Sequence, residues 1–143
     1  MLALVAMMIA GSAAHADIRP LLRHQGFDRP LNGREKITYA GHIQAGSNDF
    51  EIYAYSGVFR AASVDQGVNS LIVIRNGSTL VGAYDMDDPD KCKVRGQRIV
   101  CDVKYPGRVI RFTKRGPPSE SWIDGDNDPL VLGNSMKASG RSK

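Results

Sequence analysis

Cys92 and Cys101 are the only cysteines in the chain, and both lie in the stretch KCKVRGQRIVCDV. Two thiols can hold a metal, shuttle electrons or close a disulfide. A structural zinc site takes four ligands, and the two histidines beyond residue 16, His24 and His42, stand at no ligand spacing from the cysteines. A redox pair reads C-x-x-C at the start of a helix. The spacing fits a hairpin instead. Gly96-Gln97 suits a two-residue type II′ turn, in which glycine takes the first, positive-φ position. Arg95 then opposes Arg98, Val94 opposes Ile99, Lys93 opposes Val100 and Cys92 opposes Cys101. Pairs along such a ladder alternate between hydrogen-bonded and non-hydrogen-bonded. The cysteine pair is of the second kind, with Cα atoms about 4.5 Å apart, inside the disulfide range of about 4.4–6.8 Å. A staple is therefore predicted. It closes a loop of about ten residues, worth about 2.7 kcal/mol by chain entropy and less where the unfolded chain keeps the hairpin partly formed.

The same register sorts the other side chains of the hairpin. Cys92, Val94, Ile99, Cys101 and Val103 point one way, the expected core. Lys91, Lys93, Arg95, Arg98, Asp102 and Lys104 point the other way. The strand RVIRFT follows Pro106-Gly107. A tight connection there sets Val103 against Ile110 and Cys101 against Phe112, with Asp102 between Lys91 and Arg111. Residues 91–115 carry nine Lys and Arg against one acid, Asp102, while the rest of the chain beyond residue 16 is net acidic. Cations on a strand face can serve simply as a solvated surface that discourages edge pairing. Concentrated in this way they also form a docking surface for an anionic group. The candidate binding residues are Lys91, Lys93, Arg95, Arg98, Lys104 and Arg111. Nucleic acid is not the expected partner, because Tyr105 and Phe112 are the only aromatics available there for base stacking. An anionic envelope component or an acidic protein fits better.

The remaining residue sets carry weaker chemistry. Asp124, Asp126 and Asp128 in WIDGDNDP open like a calcium loop, but Pro129 and Ser135 stand where an EF-hand needs glycine and glutamate. Plain turn chemistry accounts for them, and no metal or cofactor is expected. Asp85, Asp87, Asp88 and Asp90 precede the basic hairpin and are placed to neutralise part of it. Trp122, the only tryptophan, reads as a core or rim residue. No G-x-S-x-G, S-x-x-K, H-E-x-x-H or phosphate-loop motif occurs, so a non-catalytic protein is expected. A hydrolase would need His24 or His42 beside a carboxylate and a nucleophile. Tyr39, Tyr53, Tyr55 and Tyr84 would line a ligand cavity if the strands closed into a barrel. That is the alternative reading, a small-ligand carrier.

The elements that must position these residues are strands. KITYAGHIQA, DFEIYAYS, SLIVIR, STLVGAY, CKV, RIVCDV, RVIRFT, SWI and PLVL are β-branched or aromatic runs separated by turn residues. VFRAASVDQ is the one stretch that reads as a turn or two of helix. In SLIVIRNGSTLVGAY, Asn76-Gly77 suits a type I′ turn that pairs Arg75 with Ser78, Ile74 with Thr79, Val73 with Leu80 and Ile72 with Val81. Both faces of that hairpin are apolar, which marks it as central and covered on two sides. The expected fold is all-β: a single-domain antiparallel meander over residues 36–132, as a sandwich or small barrel. Residues 17–35 show no sustained period and read as an irregular arm. Residues 133–143 read as a disordered tail.

The first 16 residues, MLALVAMMIAGSAAHA, join a short apolar run to an A-x-A pattern and read as a signal peptide, although no Lys or Arg precedes the run. The run is shorter than the roughly 20 residues a transmembrane helix needs. Export to a bacterial periplasm agrees with a disulfide. Together these features predict an exported, non-catalytic binding protein of inhibitor, immunity or envelope-associated type, docking an anionic partner through the basic strand face.

Overall fold

The computed structural model describes residues 15–101, 109–121 and 130–133. The β-rich runs form strands β1 (Lys36–Ala45), β2 (Asn48–Ala61), β3 (Val64–Arg75), β4 (Thr79–Asp85), β5 (Cys92–Arg95), β6 (Arg98–Cys101), β7 (Val109–Arg111), β8 (Glu120–Ser121) and β9 (Leu130–Gly133). They make a large antiparallel sheet in the order β1-β2-β3-β4-β9-β8 and a small one in the order β5-β6-β7. The fold is all-β, as expected. Both sheets are open, so the sandwich alternative holds and the barrel does not. Residues 1–14 of the expected signal, Trp122, the loop bearing Asp124, Asp126 and Asp128, and residues 134–143 of the expected tail lie outside the described residues.

The large sheet is buried on both faces. Leu71 to Ile74 are all essentially inaccessible, as the two apolar faces of the β3–β4 hairpin require. Ile52, Leu71, Val73 and Tyr84 face the small sheet, where they meet Ile99, Ile110 and Phe112. Tyr53, Tyr55, Ile72, Ile74 and Ala83 face the other way, onto Ile18, Leu22 and Phe27. The segment expected to be an irregular arm is thus a third layer, and it holds a short helix, α1 (Arg19–His24). Its apolar residues follow no period because one short turn and an extended strip cover the sheet in succession. Polar side chains, with Arg29 and Glu35 buried among them, fasten the layer. Arg29 donates from Nη2 to Asp85 Oδ1 at 2.9 Å and from Nη1 to the Gly133 carbonyl at 3.2 Å. Arg19 Nε meets Glu35 Oε1 at 2.8 Å, and Gln25 bonds both the Leu80 amide and the Ser78 carbonyl.

Two bulges explain registers that alternation misses. At Ala40 the pairing of β1 with β2 slips between Tyr39 and Gly41. Ile37 and Tyr39 therefore pack in the N-terminal core, while Ile43 and Ala45 pack in the inter-sheet core. All four have odd numbers, and one extra residue reverses the face. In the β3–β4 hairpin Asn76 and Gly77 do take positive φ, 51° and 69°. The turn nevertheless holds three residues. Arg75 pairs with Thr79 and Ile74 with Leu80, and after a slip at Val81 Val73 pairs with Gly82 and Ile72 with Ala83. The expected two-residue register is corrected by one. Asn76 is tied to the β1–β2 turn by its amide to the Asp49 carbonyl (2.6 Å) and by the Asp49 amide to its Oδ1 (2.8 Å). Gln25 holds the far side at Ser78 and Leu80. VFRAASVDQ is not helical: it forms the end of the β2–β3 hairpin, turned at Ala62 with φ of 55°. No glycine or asparagine marks that turn in the sequence.

The four tyrosines share no interior. Tyr53, Tyr55 and half-buried Tyr39 belong to the N-terminal core and Tyr84 to the inter-sheet core. The Tyr55 and Tyr84 hydroxyls donate to the carbonyls of Pro30 and Pro118, and that of Tyr53 to Glu51. Burial pushes the Tyr55 phenol up to about 12 and raises Tyr53 and Tyr84 further. All three phenols are neutral; those of Tyr55 and Tyr84 pin loops to the sheet, and that of Tyr53 bonds a neighbour on its own strand.

Arg29 is nearly inaccessible while Asp85 is 43% exposed. Arg29→Ala therefore leaves a carboxylate that water can solvate, and should lower the unfolding free energy by about 2–3 kcal/mol in urea titration, below the usual cost of breaking a fully buried pair. Burial alone would raise the Glu35 carboxyl, but Arg19 and the Glu35 and Gly33 amides outweigh it and hold it below its ordinary 4.5. A depressed carboxyl contributes stability above its unfolded value and loses it as pH falls through the folded value. Glu35→Gln should be less stable than the parent at pH 7, and its stability should fall less steeply on acidification below about pH 4.5.

Candidate functional site

The site is built from the small sheet. β5 and β6 pair as the turn chemistry predicts: Arg95 with Arg98, Val94 with Ile99, Lys93 with Val100 and Cys92 with Cys101. Gly96 supplies the positive φ, 62°, while Gln97 is not among the positive-φ residues, as a type II′ turn requires. The cysteines form the expected disulfide, with Cα atoms 3.9 Å apart, closer than the about 4.5 Å of an ordinary non-hydrogen-bonded pair and far from the about 5.5 Å of a hydrogen-bonded one. The cystine is buried between the sheets, with Cys92 Sγ 3.5 Å from Met86 Sδ. The Gln97 side chain donates to the Gln44 carbonyl at 3.1 Å and fastens the turn to β1.

The third strand departs from expectation. Ile110 pairs with Ile99, not Val103, and Arg111 pairs with Arg98. The connection over residues 102–108, which includes Asp102 and Lys104, lies outside the described residues. The shift is an even number of residues, so facing is preserved: Ile110 and Phe112 remain buried. Burial fixes which face a strand shows more strongly than it fixes where along its neighbour the strand sits.

The corrected register has an electrostatic consequence. Arg95 lies opposite Arg98, and Arg98 opposite Arg111. Three arginines thus form one cross-strand row, all exposed. Lys93 begins the next row, beside half-buried Val100 and Val109. Neighbouring strands stand about 4.8 Å apart. Like charges directly opposite each other are destabilising, and among the described residues no carboxylate pairs with Lys93, Arg95, Arg98 or Arg111. Each guanidinium presents a planar donor fork, and together they can take an anion bidentately.

The other predicted site residues fall around this row. Lys91 ends a 3₁₀ turn, Pro89–Lys91, and pairs with Asp88 at 3.7 Å, so it stands off the sheet face. Of the acidic loop, Asp85 serves Arg29, Asp88 serves Lys91, and Asp90 lies near the hairpin edge. Lys114 and Arg115 are exposed in the turn after β7. His24 ends α1 in solvent, and His42 on β1 has the Tyr39 hydroxyl 3.4 Å from its Nδ1. Among the described residues no three His, Cys, Asp or Glu side chains group to hold a metal ion.

Alternation alone does not reveal the join between the two sheets. Gly41 on β1 has φ of 141°, and a Cβ there would stand 2.7 Å from Val94 Cγ2. Only glycine lets β5 approach so closely. Beyond this contact the two strands part around an open groove of about 450 Å³, with Thr38, Tyr39 and Ala40 on one side and Cys92 to Arg95 on the other.

Reducing the disulfide should lower the unfolding free energy by about 2–3 kcal/mol, measured in urea with and without reductant. The hairpin should persist, because its turn and its contact with the large sheet remain. Comparison with protein-family models, with curated proteins and with solved structures returned no match.

Proposed function

We propose that this chain is an exported, non-catalytic binding protein that docks an anionic partner on the outer face of its small sheet. The observation that carries the reading is the Arg95–Arg98–Arg111 row, a cross-strand alignment of like charges without an acid opposed to it among the described residues. A fold gains nothing from such a row. Edge protection needs only scattered lysines, and a repelling row costs stability. A partner that brings negative charge removes the repulsion and gains charge-assisted hydrogen bonds. An envelope component bearing phosphates and an acidic protein share that chemistry.

Export rests on separate observations. The N-terminal apolar run and its small-residue tail have the texture of a signal peptide. The buried cystine suits an oxidising compartment such as the periplasm. No helix among the described residues is long and apolar enough to cross a membrane.

Heparin serves as a general polyanion probe. The parent should be retained on immobilised heparin and released only by added salt, since exposed charge contacts are screened. Arg95→Glu with Arg98→Glu should elute at clearly lower salt and show a flatter dependence of affinity on salt concentration. Unchanged retention of a folded double variant would remove the row from the account.

A further inference from the structure

The small sheet has a second recognition element besides its charge. The 3.9 Å Cα separation at Cys92 and Cys101 marks that pair as non-hydrogen-bonded. By alternation the Val94–Ile99 pair is of the same kind, and the peptide groups of Val94 point away from β6. No backbone hydrogen bond is made to them from any other described element, although β1 runs close by. The amide of Cys92, by contrast, is satisfied by the Pro89 carbonyl. Among the described residues, Val94 therefore offers an unused N–H and C=O at the sheet edge, facing the groove between β5 and β1. On either side Lys93 and Arg95 send exposed cations to the outer face, at the two-residue spacing of an extended chain. On the inner side the groove is floored by Ala40 and Ala54, small residues that leave room for a side chain.

We infer that β5 is extended by a partner strand: an acidic peptide segment with an acidic–apolar–acidic pattern adds to its free edge. The backbone of the middle residue bonds Val94, its side chain enters the groove over Ala40 and Ala54, and the flanking carboxylates meet Lys93 and Arg95. This is strand addition, in which the main chain supplies affinity and alternate side chains supply specificity. It selects an acidic protein over an anionic polymer, because a polymer without amides cannot use Val94. Asp90, at the end of the groove, disfavours a third acid there and limits the pattern to two. The inference rests on the proposed docking of anions by this sheet.

The test is an NMR titration of the whole chain with three capped peptides in which glycines flank Glu-Val-Glu, Glu-Glu-Val, or Glu-Val-Glu with its valine amide N-methylated. The first should bind at least about tenfold more tightly than the other two, the equivalent of about 1.4 kcal/mol, and should move the Val94 amide resonance. Lys93→Glu with Arg95→Glu should abolish that preference. Arg98→Glu with Arg111→Glu should keep the preference while heparin retention falls. Three peptides binding within about twofold of one another, or none binding at all, would overturn strand addition. With heparin retention intact, that result would leave the charged face standing. A parent chain that is not retained on heparin, yet discriminates clearly among the peptides, would sink the charged-face reading instead.

Discussion

Facing in the small sheet is the constraint on which the rest depends. Val94, Ile99 and Ile110 lie in one row against the large sheet, and Arg95, Arg98 and Arg111 in the next row against water. A slip of one residue in either pairing would exchange them. It would bury unpaired guanidinium groups, at several kcal/mol each even after relaxation, and expose the apolar row. The glycine-led turn at Gly96, the buried cystine and the Gly41–Val94 contact all hold the same facing. The cation row is what this locked arrangement presents outward.

The large sheet supplies the rigidity. It is covered on one side by the small sheet and on the other by the N-terminal layer, and its two bulges rotate successive stretches of β1 and β4 toward opposite cores. The Tyr55 and Tyr84 phenols and the buried arginine each find a partner on another segment. The only buried side-chain polar atom without one, among the described residues, is Ser70 Oγ. The charged row of the small sheet thus stands on a three-layer base whose polar groups are almost fully satisfied. Such a base keeps arginines in register against their own repulsion.

What the sequence reveals and what it hides divide along local and non-local lines. The 92–101 hairpin is legible because a two-residue turn fixes its pairing, and pairing then fixes facing. The β6–β7 register is not legible, since a seven-residue connection sets no pairing; only the facing of Ile110 and Phe112 survives. Asn76-Gly77 announces a turn truly, but its length depends on Asp49 and Gln25, which are remote in sequence. Ala62 turns a hairpin with no turn signature at all. The N-terminal layer hides because Ile18, Leu22, Phe27 and buried Arg29 follow no repeat. At the site, Lys93, Arg95, Arg98 and Arg111 were identifiable as co-facing cations, whereas the row they form and the opening beside Val94 depend on how the strands and sheets meet.

The most direct test of the central claim is to watch the arginines themselves. In the folded chain labelled with nitrogen-15, the side-chain Nε–H resonances of Arg95, Arg98 and Arg111 should shift together as a short linear polyphosphate is added. A single dissociation constant should describe all three, and added salt should weaken it. Shifts confined to Lys114, Arg115 or the α1 basic residues, with the three Nε–H signals unmoved, would contradict the account.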